Sequence, residues 1–475
     1  MNYDTTDAIN CLCEFFYKEL GEQKFSFCEF EKFVLKEGHR VLAAAMSRAL
    51  EQLDDALHTG KNEDLKIHEK KKRALATTLG TVNFKRRICR DSDNNSVCLL
   101  EEALDVPFKA RISPYATRVL VSAGVQVSYQ KAAGFIADTG GSYISKTAVM
   151  NQIKTTGAIC KEEDEGIAYD LFVNGVLPES KENPETICIE ADGTYVPLRT
   201  GEKVEIKAGV AYQGKQEKSR KERNSPVHFG CVGTTDEFWT QSVGRFGTMF
   251  DLGHVKKIYA GFDGEKKYQK LTDYLPINIE VEGQLDPFHL NRKVSSCFKK
   301  PCPESKEIIS LLYLGRCEEA ITQLEACRNM DLAKQNQMQE VAVYIRNNSE
   351  FIRCNPMSLG TIETDQEHIY KARFSGVPRV WSLEGVDSIA RIRSRLASNQ
   401  EVSYKSRNTS YSEKYQRLRQ KKIEESFEKV PYVYQLTSGK GYNYPVQAHL
   451  NPSLKFGYER ACINFLKETG GHNPT

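Results

Sequence analysis

Two aspartates and a glutamate in this chain stand where proteins place groups that hold hard cations. Asp192 ends the apolar run Ile187-Cys188-Ile189-Glu190-Ala191 and precedes Gly193. Asp263 ends Ile258-Tyr259-Ala260-Gly261-Phe262 and precedes Gly264, while Glu363 opens the helix-like stretch from 363 to 373. Carboxylates are the oxygen donors Mg²⁺ prefers, and it keeps some of its waters beside them. Two such ions about 3.5–4 Å apart supply the nucleophile, the charge compensation and the leaving-group stabilisation that phosphodiester cleavage needs. A single Asp-Gly is ordinarily a turn; its recurrence after two apolar runs of one block points to a site at the ends of two strands. A glycine behind each acid lets substrate or backbone approach without meeting a Cβ.

A fourth element is Leu285-Asp286-Pro287-Phe288-His289-Leu290-Asn291-Arg292. Asp286 is placed to cap a helix with Pro287 at its first position. His289 then lies one turn in, either as a half-buried structural histidine or as a group that contacts phosphate or orients a catalytic carboxylate.

The elements that must position these residues are legible in outline. Thr186–Val196, Val204–Tyr212 and Val227–Val232 read as three successive strands, with Val204, Ile206, Ala208, Val210 and Tyr212 alternating cleanly. A helix at 236–250, the strand ending at Asp263, a helix at 265–274 and a strand at 277–281 follow. Meander strands and then alternating helices and strands predict an α/β fold with a mixed sheet of the ribonuclease-H type. Such sheets place their sites at strand ends near a chain crossover. Residues 303–353 read as two or three helices, an all-helical insertion that separates Asp263 from Glu363 without an implausibly long loop; a last helix spans 384–397. Upstream, 4–58 reads as two helices and 76–84 as a hairpin or bend. Residues 129–154, with Ser145 as an N-cap, have the outline of a helix-turn-helix, equally the outline of a plain packing hairpin.

At 475 residues, 40% hydrophobic and 27% charged, the chain is that of a folded protein of two to four units. No stretch has the roughly 20 apolar residues of a membrane helix, and Met1-Asn2-Tyr3-Asp4 is not the start of a secretion signal, so a cytoplasmic, nucleoid-associated location is expected. The fourteen cysteines include no Cys-x-x-Cys, which argues against zinc and disulfides. Net charge is only +3, yet residues 66–90 carry nine Lys or Arg against one Glu, 405–422 carry seven against one with tyrosines interleaved, and 215–223 form a third basic cluster. Separate basic patches on a near-neutral chain suit a polyanion that touches several regions.

The order Asp-Gly-Thr at 192–194, Asp-Gly at 263–264, Leu-Asp-x-Phe-His-Leu at 285–290 and a late glutamate resembles bacterial insertion-sequence transposases of the ISLre type. These are related to Mutator-like transposases with an Asp-Asp-Glu triad. The likeness extends over most of the chain, through Thr-x-x-Gly-x-Val-x-Phe-x-Arg-Arg at 77–87, Ser128-Tyr129-x-Lys131-Ala132-Ala133, Arg373, Val380-Trp381-Ser382 and Glu384-Gly385. It implies a Mg²⁺-dependent transposase with Asp192, Asp263 and Glu363 holding two Mg²⁺ (or Mn²⁺) ions and Asp286 and His289 supporting strand cleavage. Relatives often have Glu-Gly at the third acid, so Glu367 and Glu384 compete with Glu363. Element ends with inverted repeats, target DNA and a homodimer or larger synaptic assembly would be its partners. DNA contacts are expected at Lys70, Lys71, Lys72, Arg73, Lys85, Arg86 and Arg87, at Lys146 and Asn151, and at Arg292 and Arg373. The expected organisation is an N-terminal helical region with the basic hairpin (1–110), a helix-turn-helix-like region (111–165), a catalytic core (185–290 and 359–400) interrupted by the insertion (291–358), and a basic C-terminal region (401–475). A catalytically silent domesticated DNA-binding copy and another ribonuclease-H-like nuclease are the competing readings.

Overall fold

The structure is a computed structural model that describes residues 6–402 except 60–64, 108–109, 140, 217–218, 277, 299–301, 328–331, 353, 355–356, 358, 360–361 and 376–379. The basic stretch 405–422 lies outside the described residues. Residues up to Gly38 belong to a unit of their own. In it α1 (Thr6–Glu22) and the start of α2 (Phe27–Leu57) are joined by an aromatic cluster of Phe15, Phe16, Phe25, Phe30 and Phe33.

The second unit runs from His39. The later part of α2 packs Ala43, Leu50 and Leu53 on a long antiparallel hairpin, β1 (Lys66–Thr77) and β2 (Gly80–Arg90), backed by β3 (Ser96–Val97) and α3 (Leu99–Ala103). Gly80 turns the hairpin with φ +107°, a conformation open to glycine. Val82, Phe84, Arg86 and Ile88 share its inner face by the two-residue period.

Three helices follow, each N-capped by a serine: α4 (Pro114–Gly124) by Ser113, α5 (Tyr129–Asp138) by Ser128 and α6 (Lys146–Phe172) by Ser145. The expected helix-turn-helix outline is thus a hairpin whose second helix is 27 residues long, with Val149, Ile153 and Cys160 buried. At Gly157 any Cβ would lie 2.2 Å from Ser388 Cβ, so this crossing of α6 with α15 (Leu383–Ala397) admits glycine alone.

The central sheet comprises β4 (Thr186–Pro197), β5 (Lys203–Tyr212), β8 (Val227–Cys231), β9 (Lys257–Phe262) and β10 (Glu280–Leu285), in the order β10-β9-β4-β5-β8. A short ribbon of β6 (Lys215–Gln216) and β7 (Ser219–Arg223) lies between β5 and β8 in sequence. β4, β5 and β8 are antiparallel neighbours, whereas β4, β9 and β10 run parallel. Against one face, α7 (Thr235–Gly247) and α8 (Lys266–Gln269) bury Phe238, Trp239, Phe246 and Tyr268 on Ile187, Ile189 and Ala191. The other face takes α15, α6 and the segment from Ile362 to Phe374. Ile206, Ala208, Val210 and Tyr212 in β5 are fully buried as the alternation predicted, but Gly209 and Ala211 between them are buried too, because helices cover both faces there.

Two boundaries differ from the sequence reading. The last strand spans 280–285 rather than 277–281: Ile279 packs just before it, and the polar Gln284 is buried inside it. Asp192 lies within β4 rather than at its end, since pairing with β5 continues to Pro197. Beyond β10, α9 (Pro287–Ser296), α10 (Pro303–Tyr313), α11 (Cys317–Ala326) and α12 (Leu332–Asn347) enclose a core of their own around Leu290, Ile308, Leu312, Ile321 and Ile345. The chain returns to the sheet at α13 (Ile362–Asp365), continues through a π-helical turn (Gln366–Lys371) into α14 (Ala372–Phe374), and ends the described part with α15. No helix among the described residues is long and apolar enough to cross a membrane.

Candidate metal centre

Register aligns the acids. Ala191 pairs with Phe262, and Phe262 with Leu285, so the next residue on each of three adjacent parallel strands is an aspartate: Asp192, Asp263 and Asp286. Asp286 N donates to the Phe262 carbonyl at 2.8 Å, which fixes the row. Glu363 reaches the same place from the first turn of α13. The three aspartates and His289 border a narrow cleft, lined also by Glu190, Gln284, Leu359 and Ile362, and Glu363 Oε1 lies 2.9 Å from His289 Nε2.

Each side chain is held by local bonds. Gly193 N donates to Asp192 Oδ1 (2.7 Å) and Glu265 N to Asp263 Oδ1 (2.8 Å). Asp286 caps α9 by accepting from Phe288 N (2.9 Å), as its position before Pro287 predicted. His289, three residues on, has Nε2 3.9 Å from Asp286 Oδ2 and 2.9 Å from Glu363 Oε1, the latter without the alignment of a hydrogen bond. The glycines after the acids serve other purposes than expected. A Cβ at Gly193 would strike Glu205 Oε1 at 2.0 Å, and Gly264 takes φ +95° under the Tyr344 ring. It is therefore side chains of the protein, rather than substrate, that fill both spaces.

Crowded carboxylates resist ionisation. Burial, and then the neighbouring Asp263 charge, push Asp192 up to about 6, and burial likewise raises Asp263. Burial and the adjacent Glu363 push Asp286 up to about 7. Burial alone would raise Glu363 too, but its contacts with His289 and Asp286 bring it below the ordinary glutamate range, while the same Glu363 raises His289. In the absence of a cation, each raised carboxyl adds to stability while protonated. That contribution is full below about pH 4, where unfolded carboxyls are also protonated, and is lost as pH rises through about 6 for Asp192 and about 7 for Asp286. With EDTA present, the thermal midpoint should therefore fall between pH 5 and pH 8 relative to that of Asp192→Asn. Saturating Mg²⁺ should reverse the trend, because a bound cation takes the carboxylate form. A difference between the two proteins that does not change with pH would contradict this account.

Residues that sequence reasoning missed hold the third acid. Glu190, 1% exposed, accepts from Tyr212 Oη (2.7 Å) and from Ile362 N (3.3 Å), the residue before Glu363. Gln284, equally buried, bonds both the N–H and the carbonyl of Met357 at 2.9 Å. Gln366 Nε2 donates to the Asp192 carbonyl at 2.9 Å. The one signal available was an acid two places before Asp192, on the same strand face, inside an otherwise apolar run.

The rivals of Glu363 lie elsewhere: Glu367 and Glu384 are exposed and pair with Lys371 and Lys154. Of the expected DNA contacts, Lys70, Lys71, Lys72 and Lys85 lie exposed on the hairpin, and Lys146, Asn151 and Arg292 are exposed on their helices. Four arginines are corrected. Arg73 and Arg86 turn inward and pair with the buried Glu101. Arg87 is neutralised by Asp54 and Asp55 at 2.7 Å. Arg373 is 3% exposed, bonded to the Gly124 carbonyl and stacked over Tyr129 and Trp381. The guanidinium groups of Arg73, Arg86 and Arg373 are enclosed structural links and face no phosphate backbone, while Arg87 is half-buried with its charge already met.

A family model described as Uncharacterised protein family (UPF0236) matches residues 20–408. The chain belongs to the UPF0236 family. A UPF0236 protein of Caldanaerobacter subterraneus subsp. tengcongensis is 24% identical over 362 residues, covering 74% of this chain and 73% of its own. A second from the same strain is 24% identical over 361 residues, covering 74% and 73%. The UPF0236 protein in the vanSb 3′ region of Streptococcus gallolyticus is 25% identical over 275 residues, covering 56% of this chain and 58% of its own. The UPF0236 match spans both the row of aspartates and Glu363.

Proposed function

We propose that this protein is a DNA transposase, which hydrolyses phosphodiester bonds at the ends of its own element and joins the freed 3′-OH to target DNA. The observation that carries the reading is the row of Asp192, Asp263 and Asp286 across three parallel strands, closed by Glu363 from a helix on the same sheet end. The strand order supports a ribonuclease-H-like fold: three antiparallel strands, then two parallel ones beside the first, then an inserted helical unit before the last acid.

The residues fit a divalent cation. Burial raises both Asp192 and Asp263, and the Asp263 charge adds to the shift of Asp192, which is the electrostatic deficit that positive charge relieves. Asp192, Asp263 and Glu363 would hold Mg²⁺ or Mn²⁺, and two such ions would lower the pKa of a bound water and steady the leaving oxygen. The protein's own part is to fix those oxygens on rigid strands and to keep Glu363 ionised beside His289. Relatives bear on this reading too. The name of one Caldanaerobacter protein joins eleven gene designations of one strain, and that of another joins four. Many copies in one genome are what a self-multiplying gene leaves behind.

The test is incubation of the full chain with a DNA fragment carrying its gene and flanks, with and without Mg²⁺. Nicks at fixed boundaries exposing 3′-OH ends, and joined products with a second duplex, are expected. Folded protein that neither cuts nor joins such DNA in Mg²⁺ would sink the proposal. For binding, replacing Lys70, Lys71 and Lys72 by glutamine should weaken affinity for all sequences alike. It should also reduce the slope of log K against log salt by roughly 2–3, about one for each phosphate that is no longer neutralised. An unchanged slope would leave those lysines as guards of an exposed sheet edge.

A further inference from the structure

We propose that Asp286, His289 and Glu363 form a cation site of their own, with one nitrogen and two oxygen donors, suited to a divalent first-row transition metal rather than to Mg²⁺. The site's role in the reaction rests on the two-ion reading above; its capacity to bind does not.

Three independent constraints converge on one point. Asp286 spends Oδ1 on the cap of α9, which turns Oδ2 the other way. His289 stands at i+3 on that helix, the spacing that places two side chains on one face, and its Nε2 is 3.9 Å from that oxygen. Glu363 comes from a different element and brings Oε1 to 2.9 Å from the same nitrogen. All three atoms lie within 4.8 Å of one another.

All three are also buried atoms with no hydrogen-bond partner, and Asp286 is 6% exposed. A buried polar atom left without a partner is costly, and three facing one another call for a common partner. Without a cation, protons on His289 and on Asp286 must serve Glu363 between them. A cation answers all three at once. The imidazole decides its type: nitrogen donors favour the transition metals, while purely oxygen sets such as Asp192 with Asp263 suit Mg²⁺. The centre thus separates into a hard half on the strands and a softer half on α9 and α13, with Glu363 between them.

The probe is Co²⁺, followed by its visible d–d absorption and by equilibrium dialysis on the full chain, without DNA and with excess Mg²⁺. Wild type should bind one equivalent with an intensified spectrum. Asp286→Asn keeps a good cap, and should weaken binding at least about tenfold while circular dichroism stays unchanged. His289→Ala should lose the spectrum, and Asp192→Asn should keep it. Absence of Co²⁺ binding by wild type, or binding indifferent to His289, would overturn the site and leave the transposase reading standing. Equal loss in Asp192→Asn would show one shared site and overturn the separation. Intact Co²⁺ binding without any DNA cleavage would support the site and count against the transposase reading alone.

Discussion

Asp192→Asn is expected to abolish metal-dependent DNA cleavage, by on the order of 10⁴-fold, as removal of one member of a catalytic unit does. Affinity for DNA should stay within about twofold, because the exposed lysines of the hairpin lie on another sheet. The metal-free variant should be as stable as wild type or more so. Its lost carboxyl is one that burial and Asp263 already hold up at about 6, so the substitution removes a repulsion. Mg²⁺ should then raise its thermal midpoint less than it raises that of wild type, since less binding energy is linked to the folded state. Cleavage at the wild-type rate would remove Asp192 from the site, and unchanged stabilisation by Mg²⁺ would remove it from the ligand set.

Asp164→Ala should produce the largest loss of stability, about 3–5 kcal/mol, the range for stripping one partner from a buried ion pair. Asp164 is 3% exposed and accepts from three arginines, Arg245 (3.4 Å), Arg391 (2.9 Å) and Arg395 (2.9 Å), themselves 2–6% exposed. They come from α7 and α15, so one carboxylate on α6 ties three helices that cover the central sheet. Removing it leaves guanidinium charge in the interior with only Glu163, Asp387 and neutral acceptors such as Gln241 and the Cys160 carbonyl. Asp164→Asn, which keeps an acceptor and the volume, should lose less. Urea denaturation gives the measurement; an alanine variant within about 1 kcal/mol of wild type would show that the arginines satisfy one another's surroundings without it.

What was legible in the sequence was whatever rests on period and residue type. The alternation from Val204 to Tyr212 marked a strand, and Ser145 before an apolar repeat marked a cap; both are as read, although β5 is buried on both faces from Ala208 onward. Asp192, Asp263, Asp286 and His289 border one cleft, because carboxylates after apolar runs occupy equivalent rows when the strands run parallel, and Glu363 meets His289 beside it. The arginines were misread by treating a basic run as one surface. Strand parity places Arg86 with Val82 and Phe84, and Arg73 with Leu75, so both point to the interior where Glu101 meets them. The partnership of Glu101 left no sequence signal, and neither did the bonds of Gln284 to Met357 and of Glu190 to Ile362, 73 and 172 residues apart, because pairing between separate elements leaves no periodic trace.

The helical insertion is attached to the sheet by its two ends alone in sequence, and each end is an acid of the centre or borders one. Asp286 is the cap that starts α9, and Glu363 follows the returning segment that Glu190 and Gln284 grip. Between those ends Tyr344 of α12 donates to the Asp263 carbonyl at 2.7 Å, so the unit is fastened at the acids and its far side is left clear of them. Its outer helices can lengthen, shed residues or lean on a large partner while the spacing of the acids is preserved, so the unit's outline is free to vary as long as its doorway does not.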